Sequence, residues 1–435
     1  MKPTRRNPKA GWALLVALLL VARPAAADPT DLLGFGARSL GLANAGAAVA
    51  RGGAAAMWNP AGVAAIDSAE LTLSYATGSL GLEINHQNAH VVSPSGLQLG
   101  LALPFKLSSD VTAAIGLGLF MPDRWIVRIQ LVPSTEPRFL LYDNDKNRIV
   151  ANPILGVRIG RELAIGAGAS VLADVGGSGV RFDVGVEGGE KVGRSAIDLE
   201  IPTRAAPLVG VLWSPTDKLQ VGLGWRGEID LKLRLDIVAN VNVVGVVQGD
   251  AIIALRAVNF YTPHRLTLGA AWEVADGVLV TGDVAYAKWS GYHGGVAELQ
   301  ILVDLGVTPS LASAAFPQDK LSDTLAVRGG SELRFPILGI TGLARFGLGY
   351  EPSPVPDQVL ATNFADNDRV ILSSGVGVEL PGTKGGLLER PLSFDLGAQW
   401  QQLLERTTRK LAATLPALQS GGSIVIAALT ATARF

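Results

Sequence analysis

Leu219-Gln220-Val221-Gly222-Leu223-Gly224-Trp225-Arg226-Gly227-Glu228-Ile229-Asp230-Leu231-Lys232-Leu233-Arg234-Leu235-Asp236-Ile237 is the stretch on which the reading of this chain turns. Leu219, Val221, Leu223, Trp225, Ile229, Leu231, Leu233, Leu235 and Ile237 hold odd positions, and Gln220, Arg226, Glu228, Asp230, Lys232, Arg234 and Asp236 hold even ones. Alternate side chains of a strand point to opposite faces, so this period of two gives a ribbon with one apolar and one charged face. Read as a single strand it would run ~60 Å, far beyond the roughly 17–20 Å usual in globular proteins. A small soluble sandwich has no use for such an element. A membrane barrel does, because its outer face meets lipid, its inner face meets water or ligand, and closure leaves no unpaired edge in hydrocarbon.

The same alternation recurs on both sides of that stretch. Towards the N-terminus it runs through Leu71 to Tyr75, Leu97 to Leu103, Ile115 to Leu119, Leu155 to Ile159, Ile165 to Val171 and Val209 to Trp213. Towards the C-terminus it runs through Leu266 to Trp272, Val278 to Tyr286, Val327 to Phe335, Ala344 to Tyr350, Val370 to Val378, Leu392 to Trp400 and Val425 to Phe435. With the opening stretch this predicts fourteen strands. Six short turns alternate with seven longer connections, and residues 120–149, 174–203, 238–262, 290–323 and 351–368 read as the long loops. Short turns on one rim and long loops on the other are the arrangement of bacterial outer-membrane barrels. Trp213, Trp225, Trp272, Trp289 and Trp400 fall near strand ends, where an aromatic girdle is expected.

Composition agrees. The chain has no cysteine, which excludes disulfides, thiol catalysis and thiolate metal sites. Mean hydropathy is positive, yet beyond the N-terminus no run of ~18 apolar residues predicts a membrane helix. At the start, Lys2, Arg5, Arg6 and Lys9 precede an apolar run from Trp12 to Ala22 and the small residues Ala25-Ala26-Ala27. That order predicts a secretory signal peptide over residues 1–27. Its removal leaves 32 basic residues against 38 acidic ones. A net negative mature chain speaks against nucleic acid as a partner.

Residues 28–68 do not alternate. Gly34-Phe35-Gly36, the Ala/Gly series from Leu40 to Ala56 and Trp58-Asn59-Pro60-Ala61 predict a compact, short-helical segment that fits a plug inside the barrel of residues 69–435. Catalytic chemistry finds no support. His86, His90, His264 and His293 are scattered, and the spacing of the first two makes a metal face only on a helix. Gly176-Gly177-Ser178-Gly179 lacks the lysine that phosphate chemistry needs, and no ligand series completes Asp143-Asn144-Asp145 as a Ca²⁺ loop. No cofactor, no metal and no enzymatic activity are therefore expected.

The chain resembles the long-chain fatty-acid outer-membrane transporters, a family that includes aromatic-hydrocarbon importers. Gly34-Phe35-Gly36, Leu40-Gly41, Asn44-Ala45-Gly46 and Asn59-Pro60-Ala61 resemble the family's N-terminal hatch. Trp272 to Trp289, with Ala285-Tyr286-Ala287-Lys288-Trp289-Ser290, resembles a family hairpin. Tyr350-Glu351-Pro352-Ser353-Pro354-Val355-Pro356-Asp357 with Asp366-Asn367-Asp368-Arg369 is the most specific of the three pieces. The resemblance implies a monomeric fourteen-stranded barrel in the outer membrane, with a hatch in its lumen, that imports long-chain fatty acids or similar hydrophobic compounds. In such a barrel the ligand leaves sideways into the outer-membrane lipid, through a gap at an inwardly kinked strand. A general porin for polar solutes and an outer-membrane lipid hydrolase remain the alternatives.

Under that resemblance, Asn59, Pro60 and Ala61 belong to a moving hatch; the plainer reading is a turn before the first strand. Gly116 and Gly118 mark the expected kink on the third strand, or simply relieve crowding. Arg181 and Lys320 lie nearest to the family's basic lumen pair, which would hold a ligand carboxylate; the plainer reading is solvated loop charge. Leu119 stands where some members carry a hydroxyl, so the ligand need not be an acid.

Overall fold

The computed structural model describes residues 32–124, 134–143, 148–173, 176–187, 190–200, 203–243, 247–292, 296–304, 310–315, 320–382 and 391–435. The expected signal segment 1–27 lies outside these residues, as do Asn144 and Asp145.

Fourteen antiparallel strands form the wall. They are β1 (Glu70–Ile84), β2 (Ser95–Lys106), β3 (Val111–Pro122), β4 (Val150–Ile159), β5 (Leu163–Ala173), β6 (Thr203–Thr216) and β7 (Leu219–Arg226). The second half is β8 (His264–Ala275), β9 (Val278–Lys288), β10 (Thr324–Ile337), β11 (Ile340–Glu351), β12 (Arg369–Leu380), β13 (Leu392–Thr408) and β14 (Leu418–Arg434). Each strand pairs with its neighbours in sequence, and β1 pairs with both β2 and β14, which closes the tube.

Burial follows the alternation. In β12, Leu372 and Val376 face out while Arg369, Ile371, Ser373, Gly375 and Gly377 are buried inside. Outward aliphatics such as Leu155, Val376 and Leu429 remain more than half exposed around the whole wall. A continuous apolar belt of this kind is solvated by hydrocarbon, not by water.

Both rims carry aromatic side chains. Trp213 and Trp272 lie exposed on the short-turn side. Nearer the long loops, Tyr75, Tyr286 and Tyr350 lay their rings on the outer face and donate their hydroxyls to Asp123 (2.6 Å), Asp323 (2.7 Å) and Asp368 (2.6 Å). A ring in the apolar belt with its hydroxyl at the wet boundary is the interfacial habit of tyrosine. Trp289 departs from the expected girdle: it is fully buried, 5.7 Å from the ring of Tyr261. A strand-end position does not say which side of the wall a short helical turn will take the ring to.

The opening stretch is not one strand. β7 ends at Arg226, and Ile229–Val243 joins a second sheet, antiparallel to Val247–Thr262 and parallel to Gly176–Glu187. Period two identifies a half-exposed ribbon without saying which sheet it enters. The departure is built at Gly227, whose N–H donates to Pro207 O (2.8 Å) and where a Cβ would come within 2.7 Å of Pro207 Cδ. The second sheet also holds Glu190–Glu200, Val296–Asp304 and Ser310–Ala315, so much of the three regions expected to be loops is strand.

Residues 32–66 run inside the barrel as four short helical turns, Gly36–Gly41, Gly52–Ala54, Ala55–Trp58 and Pro60–Ala64. Positive φ at Gly34, Gly36, Ala43, Asn44 and Gly52 bounds the first two, and extended Asn59 separates the last two. Small residues let this chain lie directly on the wall. A Cβ at Gly166 would collide with Pro60, and one at Gly222 with the Ala47 carbonyl.

Candidate functional site

The seam between plug and wall is where the sequence places its best functional triplet. Asn59 is fully buried; its Nδ2 donates to Ala47 O (2.8 Å) within the plug and to Val211 O (3.0 Å) on β6, while its Oδ1 accepts from Ala61 N (3.1 Å). Asn59 thus caps the turn Pro60–Ala64, with Pro60 at the first helical position, where its missing N–H costs nothing. One amide side chain holds two plug segments and the wall together. Replacing Asn59 with Ala removes that cap and is expected to cost ~1–2 kcal/mol, within the range for lost N-caps. Hydrogen exchange checks it: the Ala61 amide should exchange faster, while Gly62, bonded to the Asn59 backbone oxygen (3.0 Å), changes less.

Further bonds seat the plug around the circumference. Gly36 N donates to Gln98 Oε1 (2.8 Å), Ala37 N to Thr430 Oγ1 (2.8 Å), Ala43 N to Ser373 Oγ (2.9 Å) and Ala47 N to Asp283 Oδ2 (2.9 Å). Arg38 reaches Glu332 (2.8 Å), which also binds Arg345 (2.6 Å).

Gly116 and Gly118, the expected kink positions, sit in unbroken ladders. β3 pairs without interruption with β2 and with β4. A Cβ at Gly116 would lie 2.6 Å from Val63 Cγ2, and one at Gly118 2.8 Å from Ala56 Cβ, so both glycines make room for the plug. The interruption lies one interface on. Between β4 and β5, Ala151 pairs with Val171 and Ile154 with Gly168 in one register, but Asn152 and Pro153 are skipped. Proline has no N–H to give the ladder, which accounts for the skip.

Above the plug stands a buried charged layer. Glu351 accepts from Arg328 through one oxygen (Nε, 2.7 Å) and from Arg369 through the other (Nε, 3.0 Å); Arg369 also donates to Tyr142 Oη (2.6 Å). Arg328 lies over the ring of the plug's Trp58, 5.9 Å from its centroid. A narrow crevice of about 30 Å³ separates Met57, Trp58 and Pro60 from Leu208, Arg226, Arg265 and Thr267 on β6, β7 and β8. Beyond it Phe120, Phe139, Tyr142, Val150, Leu172, Trp289, Phe364, Leu403 and Leu418 belong to one buried apolar cluster. Two loops supply part of it, joined by parallel pairing of Arg138–Phe139 with Phe364–Ala365.

Arg181 and Lys320 belong to different parts of the chain's architecture. Arg181 is a residue of the second sheet, paired with Val238 and Ala196, and Lys320 is exposed on the connection before β10. Among the buried arginines, Arg226, Arg265, Arg328 and Arg369 are the ones on wall strands near the crevice and the layer above the plug. Arg226 was visible in principle, since it occupies the charged parity of the opening stretch. The others required knowing which of their strands' faces turns inward.

One loop group adds a pH dependence. Asp366, in the connection between β11 and β12, is fully buried, and burial raises its carboxyl to about 6. A carboxyl raised above its unfolded value contributes stability that is fully present below the ordinary aspartate range and is lost as pH rises through about 6. The Phe364 and Asn363 amides should therefore show larger protection factors, taken relative to their intrinsic exchange rates at each pH, below pH 6 than at neutral pH. Asp366→Asn should flatten that dependence.

A closed barrel with a lipid-facing belt, aromatic side chains at both rims and its lumen filled at mid-depth by residues 32–66 defines a transmembrane barrel of the plugged type. The structure matches a Pseudomonas aeruginosa FadL homologue with a TM-score of 0.56 at 14% identity, over 95% of this chain and 100% of that one. It matches the monoaromatic hydrocarbon channel CymD with a TM-score of 0.55 at 14% identity, over 93% and 98%. For the Ralstonia pickettii toluene transporter TbuX the TM-score is 0.52 at 14% identity, over 93% and 99%. The chain shares the fold of these transport barrels. In sequence, 166 residues are 25% identical to alkane uptake protein A of Marinobacter nauticus, covering 35% of this chain and 32% of that relative, so the match spans about a third of the relative's length. No family model matches the chain.

Proposed function

We propose that this protein is a monomeric channel of the bacterial outer membrane, exported by the signal segment 1–27, that admits hydrophobic small molecules by passive diffusion. Long-chain fatty acids, alkanes and alkylbenzenes form its substrate class. The observation that carries this reading is that residues 32–66 fill the tube at mid-depth and that, past the paired charges of Arg328, Glu351 and Arg369, a buried apolar cluster lies beyond them. A polar solute needs a continuous aqueous path. A hydrocarbon chain gains roughly 0.8 kcal/mol per buried CH₂ and needs an apolar one.

In this reading the ligand enters among the loop aromatics, displaces some of them, and reaches the crevice at Met57 and Trp58. Arg226 and Arg265 give an acid head group its partner there; a hydrocarbon does without them. Movement of the hatch segment 28–68 about Asn59-Pro60-Ala61 opens the way onward. The exit is lateral, at the skipped pairs Asn152 and Pro153 between β4 and β5. A downward exit is disfavoured, because the space beneath the plug is lined by arginines and carboxylates. The relatives include an alkane uptake protein and a toluene transporter, which supports the same substrate class.

The test is uptake of labelled palmitate and labelled hexadecane into vesicles carrying the full-length protein, alongside conductance in a planar bilayer. Saturable uptake of either compound without an open-channel current is the expected result. A steady ohmic current with no hydrophobic uptake would establish a porin instead.

A further inference from the structure

A cavity of about 320 Å³ lies beneath the plug, on the rim where β1 begins and β14 ends. Its charges are almost matched. Glu332 binds Arg38 and Arg345, and Asp395 binds Arg345 a second time at 2.6 Å. Glu379 binds Arg334 and Arg434, and Glu70 also accepts from Arg434 at 3.4 Å. Each carboxylate on the cavity wall is therefore already bound to one of four arginines.

Arg51 is the fifth arginine lining this space, and its partners are all neutral. Its Nη1 donates to Ala48 O (3.1 Å) and Ala50 O (2.8 Å), and its Nη2 donates to the Gln220 side-chain oxygen on β7. The charges that act on it most are those of Arg38 and Arg158, both of its own sign. A guanidinium has five N–H groups; these three bonds leave Nε–H and one Nη2–H to donate to an anion. The cavity has room for such an anion with several waters, at roughly 30 Å³ per water.

We propose that the cavity beneath the plug is an anion site, in which Arg51 holds a small oxyanion (a carboxylate or a phosphate group) reaching it from the periplasmic side. The bound anion supplies the negative charge that the described residues around Arg51 do not. It also lies where plug and wall meet, since Arg51 belongs to the plug and Gln220 to β7. This site is separate from the apolar region above the plug and stands whatever travels there.

The experiment is calorimetric titration of the purified full-length protein with inorganic phosphate and, separately, with butyrate, each against chloride at equal ionic strength. Saturable binding of phosphate, of butyrate or of both is expected. Arg51→Gln should weaken it at least tenfold, and Arg51→Lys should retain part of it. Heat-dependent gel mobility shows in each variant that the barrel is folded. No saturable binding of either anion, or binding that survives unchanged in folded Arg51→Gln, overturns the proposal.

Discussion

Deletion of residues 28–61 is expected to convert the closed tube into an open one. Vesicles carrying the shortened protein should swell in small sugars roughly tenfold faster or more than vesicles carrying the full chain, because wide barrels enclose an aqueous channel when nothing fills them. The physical ground is the intimacy of the plug. Its backbone rests on wall glycines at Gly166, Gly222 and Gly397, where even a methyl group would collide with it. At these points no water fits between plug and wall. The deleted barrel should still form, since the β1 to β14 ladder closes without using any plug residue. A folded deletion variant with the permeability of the full chain would show that some other segment seals the lumen.

Much of this wall is legible in the sequence, and the limits of that legibility are physical. The fourteen strands follow from alternation, since each must show lipid one face and the lumen the other. What alternation cannot express is pairing. Ile229 to Ile237 keeps the same period as β7 and yet enters another sheet, because the chain turns away at Gly227 against Pro207. The strands Gly176–Glu187 and Val247–Thr262 were hidden among glycine, charge and continuous apolar residues that carry no clean period. Asn59-Pro60-Ala61 was recognisable because a local cap and a local proline make the turn. By contrast, the partners of Glu351 come from β10 and β12, and Tyr142, which Arg369 also holds, comes from a distant loop, so only closure of the barrel brings them together. Gly116 and Gly118 show the same limit from the other side. A glycine in a strand announces a close approach without saying whether a ligand, a kink or the plug makes it.

Glu351→Ala carries the largest single-residue effect expected here. The carboxylate sits between two guanidiniums, Arg328 and Arg369, and all three side chains are at most 5% exposed. Removing it leaves two like charges buried at short range without their shared counter-charge, a change that typically costs 3–5 kcal/mol, on the order of a third or more of a domain's stability. The loss should spread. Arg369 also holds Tyr142, which anchors a loop to the wall, and Arg328 covers the Trp58 ring of the plug. Urea unfolding in lipid vesicles, followed by tryptophan fluorescence, measures the effect. Glu351→Gln keeps the shape and part of the hydrogen bonding, so it should fall between wild type and Glu351→Ala. Replacing Arg328 with Met in the Glu351→Ala background should recover part of the loss, because an apolar pair is tolerated where a lone buried charge is not. A Glu351→Ala cost below about 1 kcal/mol would mean that water screens these charges as it does at a surface, where single ion pairs are worth that little. In that case the layer above the plug would be wet, and a hydrophobic ligand resting on Trp58 would meet solvent.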